Sequence, residues 1–365
     1  MPPGGPETIQ LRPFPSTTAS PSYRFAGGPG EPSDPADSRA TDEAGSPTLG
    51  DGTTFSHIPV MEREITGLLS AAPASRGRTP VFVDATLGGG GHAEALLEAV
   101  EGSRLVGLDR DLNAIEAATR RLRRFGDRFE AHHVRFDRLA DVVEPASVCG
   151  VIFDLGVSSH HIDAADRGFS FRNAGPLDMR MDRTSSLTAA AVVNEYDERT
   201  LAQILRRNAD ERYSARIASA IVAARPISDT ARLAEVVTAA IPAPARRNNR
   251  QPAARTFQAI RIEVNDELDV LEPALRAAVD ALVLGGRIAV LSYHSGEDRI
   301  VKGVLRDLSR RGPVGRPDLP PPPGSEPRLT LLFSGGRTAA ASEIETNSRA
   351  ASARLRAAER TGATS

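Results

Sequence analysis

The 365-residue chain has little cysteine, lysine or net charge, and it lacks long apolar runs. Cys149 is its only cysteine, which excludes a disulfide framework and a thiolate metal cluster. Lys302 is the only lysine, so arginine carries nearly all the positive charge. Arginine suits bidentate contacts to phosphates and bases. With a net charge of -2 there is no global attraction for nucleic acid, and any such surface must be local. No stretch approaches the roughly 18 consecutive apolar residues of a membrane helix. The N-terminus also lacks the basic-then-apolar pattern of a secretory leader. The expectation is a soluble, cytoplasmic protein.

What the chain does have is a glycine turn in a telling place. Val81-Phe82-Val83-Asp84 reads as a short strand closed by an acid, and Gly88 to Gly91 lead into Ala93–Glu98, a good helix former. Such a turn needs glycine where the backbone adopts unusual φ/ψ and a ligand approaches closely. Eighteen residues past Gly91, Leu105–Asp109 reads as a second strand ending in an acid. A glycine turn followed by an acid about 20 residues later marks a nucleotide site, the acid accepting from ribose hydroxyls. Gly88-x-Gly90-x-x-Ala93 also fits the loose dinucleotide fingerprint, which keeps a nicotinamide oxidoreductase open as an alternative.

Composition divides the chain. Residues 1–54, rich in Pro, Gly, Ser and Thr, are predicted to be disordered. Residues 55–162 alternate strand and helix, which predicts an α/β fold with a parallel sheet covered on both faces. Asp84, Asp109, Phe136 and Asp154 all fall at the carboxyl ends of the expected strands, where ligands bind in such sheets. Residues 163–269 carry an ordered polar loop and helical segments at Glu198–Asn208, Ala215–Ala224 and Ala231–Ile241, and read as an inserted helical domain. The sheet pattern resumes over 270–335. A helix over Leu268–Leu284 ends at Gly285-Gly286, a strand covers Arg287–His294, a helix covers Asp298–Leu308, and a last strand covers Leu329–Phe333. The Arg-bearing tail, 336–365, is expected to be loosely held.

Motifs then add a resemblance. His57-Ile58-Pro59-Val60-Met61, Gly90-Gly91-His92, Asp154–Ser159, Arg167–Phe171, Gly175–Met181, Arg255–Ile262 and Ser292-Tyr293-His294-Ser295 occur in order from about His57 to Leu308. In these the chain closely resembles the RsmH (MraW) family, which methylates the N4 amine of a cytosine in the decoding region of 16S ribosomal RNA. It departs at His160-His161, where the family often has Pro-Gln, and at Asn347-Ser348-Arg349, where it has Asn-Pro-Arg. The resemblance implies a Rossmann-like class I methyltransferase sheet, S-adenosyl-L-methionine as cofactor, and rRNA in the small ribosomal subunit as partner.

Carried over with the resemblance, the cofactor site comprises Gly90, Gly91, His92, Asp109, Phe136, Asp154 and His161. Gly90 and Gly91 would admit the methionine part, Asp109 the ribose, and Phe136 would lie against adenine. For Asp154 two roles stay open, accepting from the target amine or ordering the cofactor. RNA contacts are expected from Arg180, Arg255, Tyr293 and His294, with Arg167, Arg172, Arg183, Arg246, Arg247 and Arg250 as further basic candidates. Phe169, Phe171 and Tyr293 are candidates to stack an extruded base. The His132-His133 and His160-His161 pairs lack matching acidic or Cys spacing, so no metal is implied. A non-catalytic RNA-binding assembly factor on the same fold is the alternative from another class.

Overall fold

β4 (Val148–Asp154) shows why this sequence makes a sandwiched sheet. Its run Val-Cys-Gly-Val-Ile-Phe is buried from end to end. Neighbouring residues of a strand point to opposite faces, and both faces here are apolar. Val151 and Phe153 join Val83, Val106, Ile288 and Val290 in one core. Ile152 joins Phe82, Leu105, Ala289 and Leu291 in the other. Each Val, Leu, Ile or Phe among these, fully buried, contributes roughly 1.5–3 kcal/mol over the exposed state.

The computed structural model describes residues 59–72, 79–158, 161, 164–171, 174–247, 251–310 and 326–362. The expected disordered extension, His57-Ile58, Ser159-His160, Arg172 and Asn248–Arg250 lie outside the described residues. In chain order the strands are β1 (Val81–Asp84), β2 (Arg104–Asp109), β3 (Phe129–His133), β4, β5 (Leu282–Ser292), β6 (Leu329–Leu331) and β7 (Arg354–Arg360). They form one sheet in the order β3-β2-β1-β4-β5-β7-β6. β1 to β5 pair in parallel, and β7 lies antiparallel between β5 and β6. This is the expected Rossmann-like class I methyltransferase sheet.

Helices α1 (Glu62–Ser70), α2 (Gly91–Ala99) and α3 (Leu112–Leu122) supply apolar residues to the second core. Among the described residues, helices α4 (Ala189–Glu195), α5 (Glu198–Ala209), α6 (Ser214–Ala223), α7 (Thr230–Ala240), α8 (Ala243–Arg247) and α9 (Ala254–Asn265) follow β4 in the chain. Thr188, Asp197 and Asp229 cap α4, α5 and α7 through their side chains. Leu201, Leu205, Ile221, Leu233, Phe257 and Ile260 belong to this block's own core. The described residues, helical block included, belong to one compact unit. α10 (Leu271–Ala281) and α11 (Ser295–Leu308) pack on the first core. Among the described residues no helix is long and apolar enough to cross a membrane.

Two expectations need correction. The helix expected to reach Leu284 stops at Ala281, and Gly285-Gly286 lie inside β5. There the register with β4 jumps from Val148↔Leu282 to Gly150↔Arg287, and Gly285 takes φ +77°. The glycines make a bulge rather than a helix stop. The tail is not loose either, for it supplies β7. Arg360, 2 % exposed, donates to the carbonyls of Asp280 and Leu282, and Arg356 pairs with Asp298 at 2.7 Å. Upstream of β7, α12 (Ala341–Thr346) places Glu343 to accept from the N–H of Met61 at 2.7 Å, tying the tail to the start of α1.

Candidate active site

Three parallel strands end in carboxylates on one edge of the sheet: Asp84, Asp109 and Asp154. The glycine turn crosses this edge. Gly88 (φ +50°) and Gly90 (φ +77°) occupy the left-handed region that favours glycine. A Cβ on Gly91 would lie 2.4 Å from Cγ of Pro59, so the protein's own packing demands glycine there.

The Gly88 N–H donates to Oδ2 of Asp109 at 2.8 Å, and the Asp111 N–H donates to Oδ1 at 2.9 Å. Asp109 thus fixes the turn, and each of its oxygens retains acceptor capacity. Burial pushes its carboxyl above the ordinary range, and those two N–H groups pull it back. Phe136 follows β3, half-buried, and meets Phe153 edge to face at 5.8 Å.

Asp154 is the most elaborately held of the three. Its N–H donates to Oγ1 of Thr86 at 2.6 Å, and the Tyr293 hydroxyl donates to its Oδ1 at 2.6 Å. Nε2 of His92 lies 3.7 Å from Oδ2, and the Asp154 side chain keeps 23 % exposure. Burial pushes its carboxyl up to about 6; the Tyr293 hydrogen bond opposes this and the Glu297 charge adds to it. Burial and the Asp154 charge also push the Tyr293 hydroxyl up, so it stays a donor.

Asp84 is 1 % exposed, and its carboxyl is pushed up to about 8, chiefly by burial. The Thr86 N–H opposes the shift, while Asp154 and Asp109 add to it. The folded state therefore holds a proton that the unfolded chain releases near pH 4. This group's contribution to stability is full at low pH and falls by about 1.4 kcal/mol per pH unit between those limits. Asp84→Asn, which mimics the protonated acid and keeps the Thr86 bond, is expected to gain stability over the parent as pH rises from 5 to 8. Denaturant midpoints across that range check it; parallel curves would count against a protonated Asp84.

Several expected residues are placed otherwise. Arg167, a candidate for RNA, is 2 % exposed and donates to Oδ2 of Asp111 at 3.0 Å and to the carbonyls of Arg180 and Met181. Arg180 grips Asp178 through both carboxylate oxygens and donates to the carbonyls of Arg183 and Ser185. His294 caps α11 in a capping box with Glu297. Phe169 lies 4.9 Å from the His161 ring, and Phe171 packs on Phe257 at 5.0 Å. Arg246, Arg247 and Arg255, by contrast, are exposed. His161 is 6 % exposed and bonds Asp111 at 2.7 Å. Glu267, His294 and Glu297 bring one ligand atom each within 4.8 Å of one another. Arg261 holds both oxygens of Glu267 and His294 serves the helix cap, so the cluster reads as an ion-paired cap.

Sequence reasoning missed Asp111, the partner of both His161 and Arg167, although its position as N-cap of α3 was legible as an Asp before a helix. It also missed Glu297, which accepts from the N–H groups of Tyr293 and His294 and so fixes the segment that aims Tyr293.

The model of the MraW methylase family matches residues 54–361. The chain is 52 % identical over 312 residues to a protein of Salinispora arenicola named ribosomal RNA small subunit methyltransferase H, covering 83 % of each. It is 50 % identical to a protein of that name from Parafrankia sp., covering 84 % of this chain and 95 % of the relative. A third, from Mycobacterium tuberculosis, is 49 % identical, with 84 % and 81 % covered. No nicotinamide enzyme is among these relatives. The chain belongs to the MraW methylase family of S-adenosyl-L-methionine-dependent ribosomal RNA methyltransferases.

Proposed function

We propose that this protein methylates the N4 amine of a cytosine in the decoding region of 16S rRNA, taking the methyl group from S-adenosyl-L-methionine. One observation carries the reading. A strand-end carboxylate, Asp154, is held by a tyrosine hydroxyl beside the glycine turn that Asp109 fixes. The donor set suits the cofactor. Asp109 has acceptor capacity for ribose hydroxyls, Phe136 offers a half-buried ring for adenine, and Gly90, Gly91 and His92 border the methionine end. The cofactor supplies a methyl group activated by its sulfonium charge.

The protein's part is orientation and proton acceptance. The lone pair of a cytosine amine is delocalised into the ring, so the amine is a poor nucleophile. It must be held in line at about 3–3.5 Å from the methyl carbon. An acceptor on its N–H drains charge as the C–N bond forms and takes the proton that nitrogen loses. Asp154 fills that role, partly exposed and steadied by Tyr293. Tyr293 thus acts through Asp154, in addition to any stacking on the base. Arg246, Arg247 and Arg255 are suited to phosphate contact by their exposure, while Arg180 shapes the loop that carries it.

The test uses purified protein, S-adenosyl-L-methionine labelled in the methyl group, and small ribosomal subunits lacking the modification. N4-methylcytidine in the digested RNA is the expected product. Label in another nucleoside would overturn the proposed target, and no label would favour a non-catalytic assembly factor.

A further inference from the structure

Asp111, His161 and Arg167 form a buried cluster that the methyl-transfer geometry does not use. They come from three parts of the chain: the start of α3, the segment after β4, and the loop leading to the helical block. All three are nearly excluded from solvent, at 4 %, 6 % and 2 % exposure. Oδ2 of Asp111 receives Nε2 of His161 at 2.7 Å and Nη1 of Arg167 at 3.0 Å, while its Oδ1 accepts from the Asn113 N–H at 3.0 Å. Burial alone would raise this carboxyl, but the His161 hydrogen bond and the His161 and Arg167 charges bring it down to about 2.

The other ends of the cluster are equally committed. Nδ1 of His161 lies 3.1 Å from the Ser158 hydroxyl and 3.3 Å from its N–H, and the ring packs against Phe169. Neither imidazole nitrogen is left for a ligand. Nη2 of Arg167 donates to the carbonyls of Arg180 and Met181, both at 3.0 Å. Asp111 in turn touches the proposed ribose acid, donating its own N–H to Oδ1 of Asp109.

We propose that Asp111, His161 and Arg167 form a clasp that sets the position of Asp109 and of Ser158. His161 is then a positioning residue, acting on the cofactor through Asp111 and not by touching it. The inference rests on the cofactor reading given above and deepens it. The clasp joins the cofactor edge to the loop that carries Arg180, so one buried carboxylate orients both sides of the site. Position 161 tolerates a change of residue type if the replacement still donates to Asp111, as a glutamine amide does.

A thermodynamic cycle in the full-length protein tests this, with S-adenosylhomocysteine binding read by calorimetry. His161→Ala is expected to weaken binding about tenfold, the value of one charge-assisted hydrogen bond, and Asp111→Asn by more, because it also removes the acceptor of Arg167. The double variant should bind no more weakly than the worse single one, because both remove the same link. His161→Gln should recover to within about threefold of the parent by restoring the donor. In turnover the losses should appear in KM for the cofactor, with kcat at saturation nearly unchanged. Additive losses in the double variant, or unchanged binding in His161→Ala, would overturn the clasp. A parent protein that does not bind S-adenosylhomocysteine would overturn the cofactor reading instead.

Discussion

Asp154→Ala is expected to lower methyl transfer by about 10²–10⁴-fold, the range one positioned proton acceptor supplies. The fold should survive, because the two contacts that place the strand end there are made by backbone: the Asp154 N–H to Thr86, and the Leu155 N–H to the Leu291 carbonyl. The variant frees the Tyr293 hydroxyl but leaves Glu297 holding that segment. Single-turnover transfer at saturating cofactor is the measurement, and near-parental rates in a folded variant would remove Asp154 from the mechanism. The pH dependence follows from the same carboxyl. With its pKa pushed up to about 6, Asp154 is protonated below that pH and cannot accept, so kcat/KM should rise through pH 6 and level off above it. Asp154→Asn keeps an acceptor oxygen without the charge, and should lose that inflection along with most of the rate.

The sheet was legible in the sequence because its central strands are apolar on both faces and end in acids. Val148–Asp154 and Leu105–Asp109 need no tertiary context to be recognised. The same holds for α5, α6 and α7, whose boundaries fall within a residue of those expected. β7 was hidden because Arg354-Leu-Arg-Ala-Ala-Glu-Arg has weak strand propensity and is stabilised by its neighbours on both sides, an instance of context outweighing intrinsic preference. Gly285-Gly286 misled for a related reason: a glycine pair reads as a helix stop, and only the pairing with β4 makes it a bulge.

The site divides along the same line. Gly90, Gly91, Asp109 and Asp154 announce themselves by position at or just after a strand end. The Tyr293–Asp154 bond spans 139 residues and the Arg167–Asp111 bond 56, and no local pattern encodes either. Tyr293 and His294, at the end of the strand expected over Arg287–His294, were expected to contact RNA. The structure gives one to Asp154 and the other to a helix cap, and the spacing from His294 to Glu297 was the available sign of the cap.

Arg167→Met provides the second large effect, and it separates a buried strut from a surface arginine. Methionine roughly fills the apolar part of the site but removes the cation that faces Asp111 and the donors to two carbonyls. Breaking one partner of a buried ion pair leaves the other charge uncompensated, at a cost of about 3–5 kcal/mol. An exposed arginine kept for RNA phosphates would change stability by no more than about 0.5 kcal/mol. The denaturant midpoint at constant slope therefore decides between the two roles without any RNA. Adding Asp111→Asn to Arg167→Met should recover part of the loss, because the remaining partner is then neutral and asparagine still caps α3. If instead Arg167→Met unfolds at the parental midpoint, the Asp111 carboxylate does not depend on Arg167 for its burial. Met179 and Met181 would then be held by Asn265, which accepts from the Met181 N–H and donates to the Met179 carbonyl.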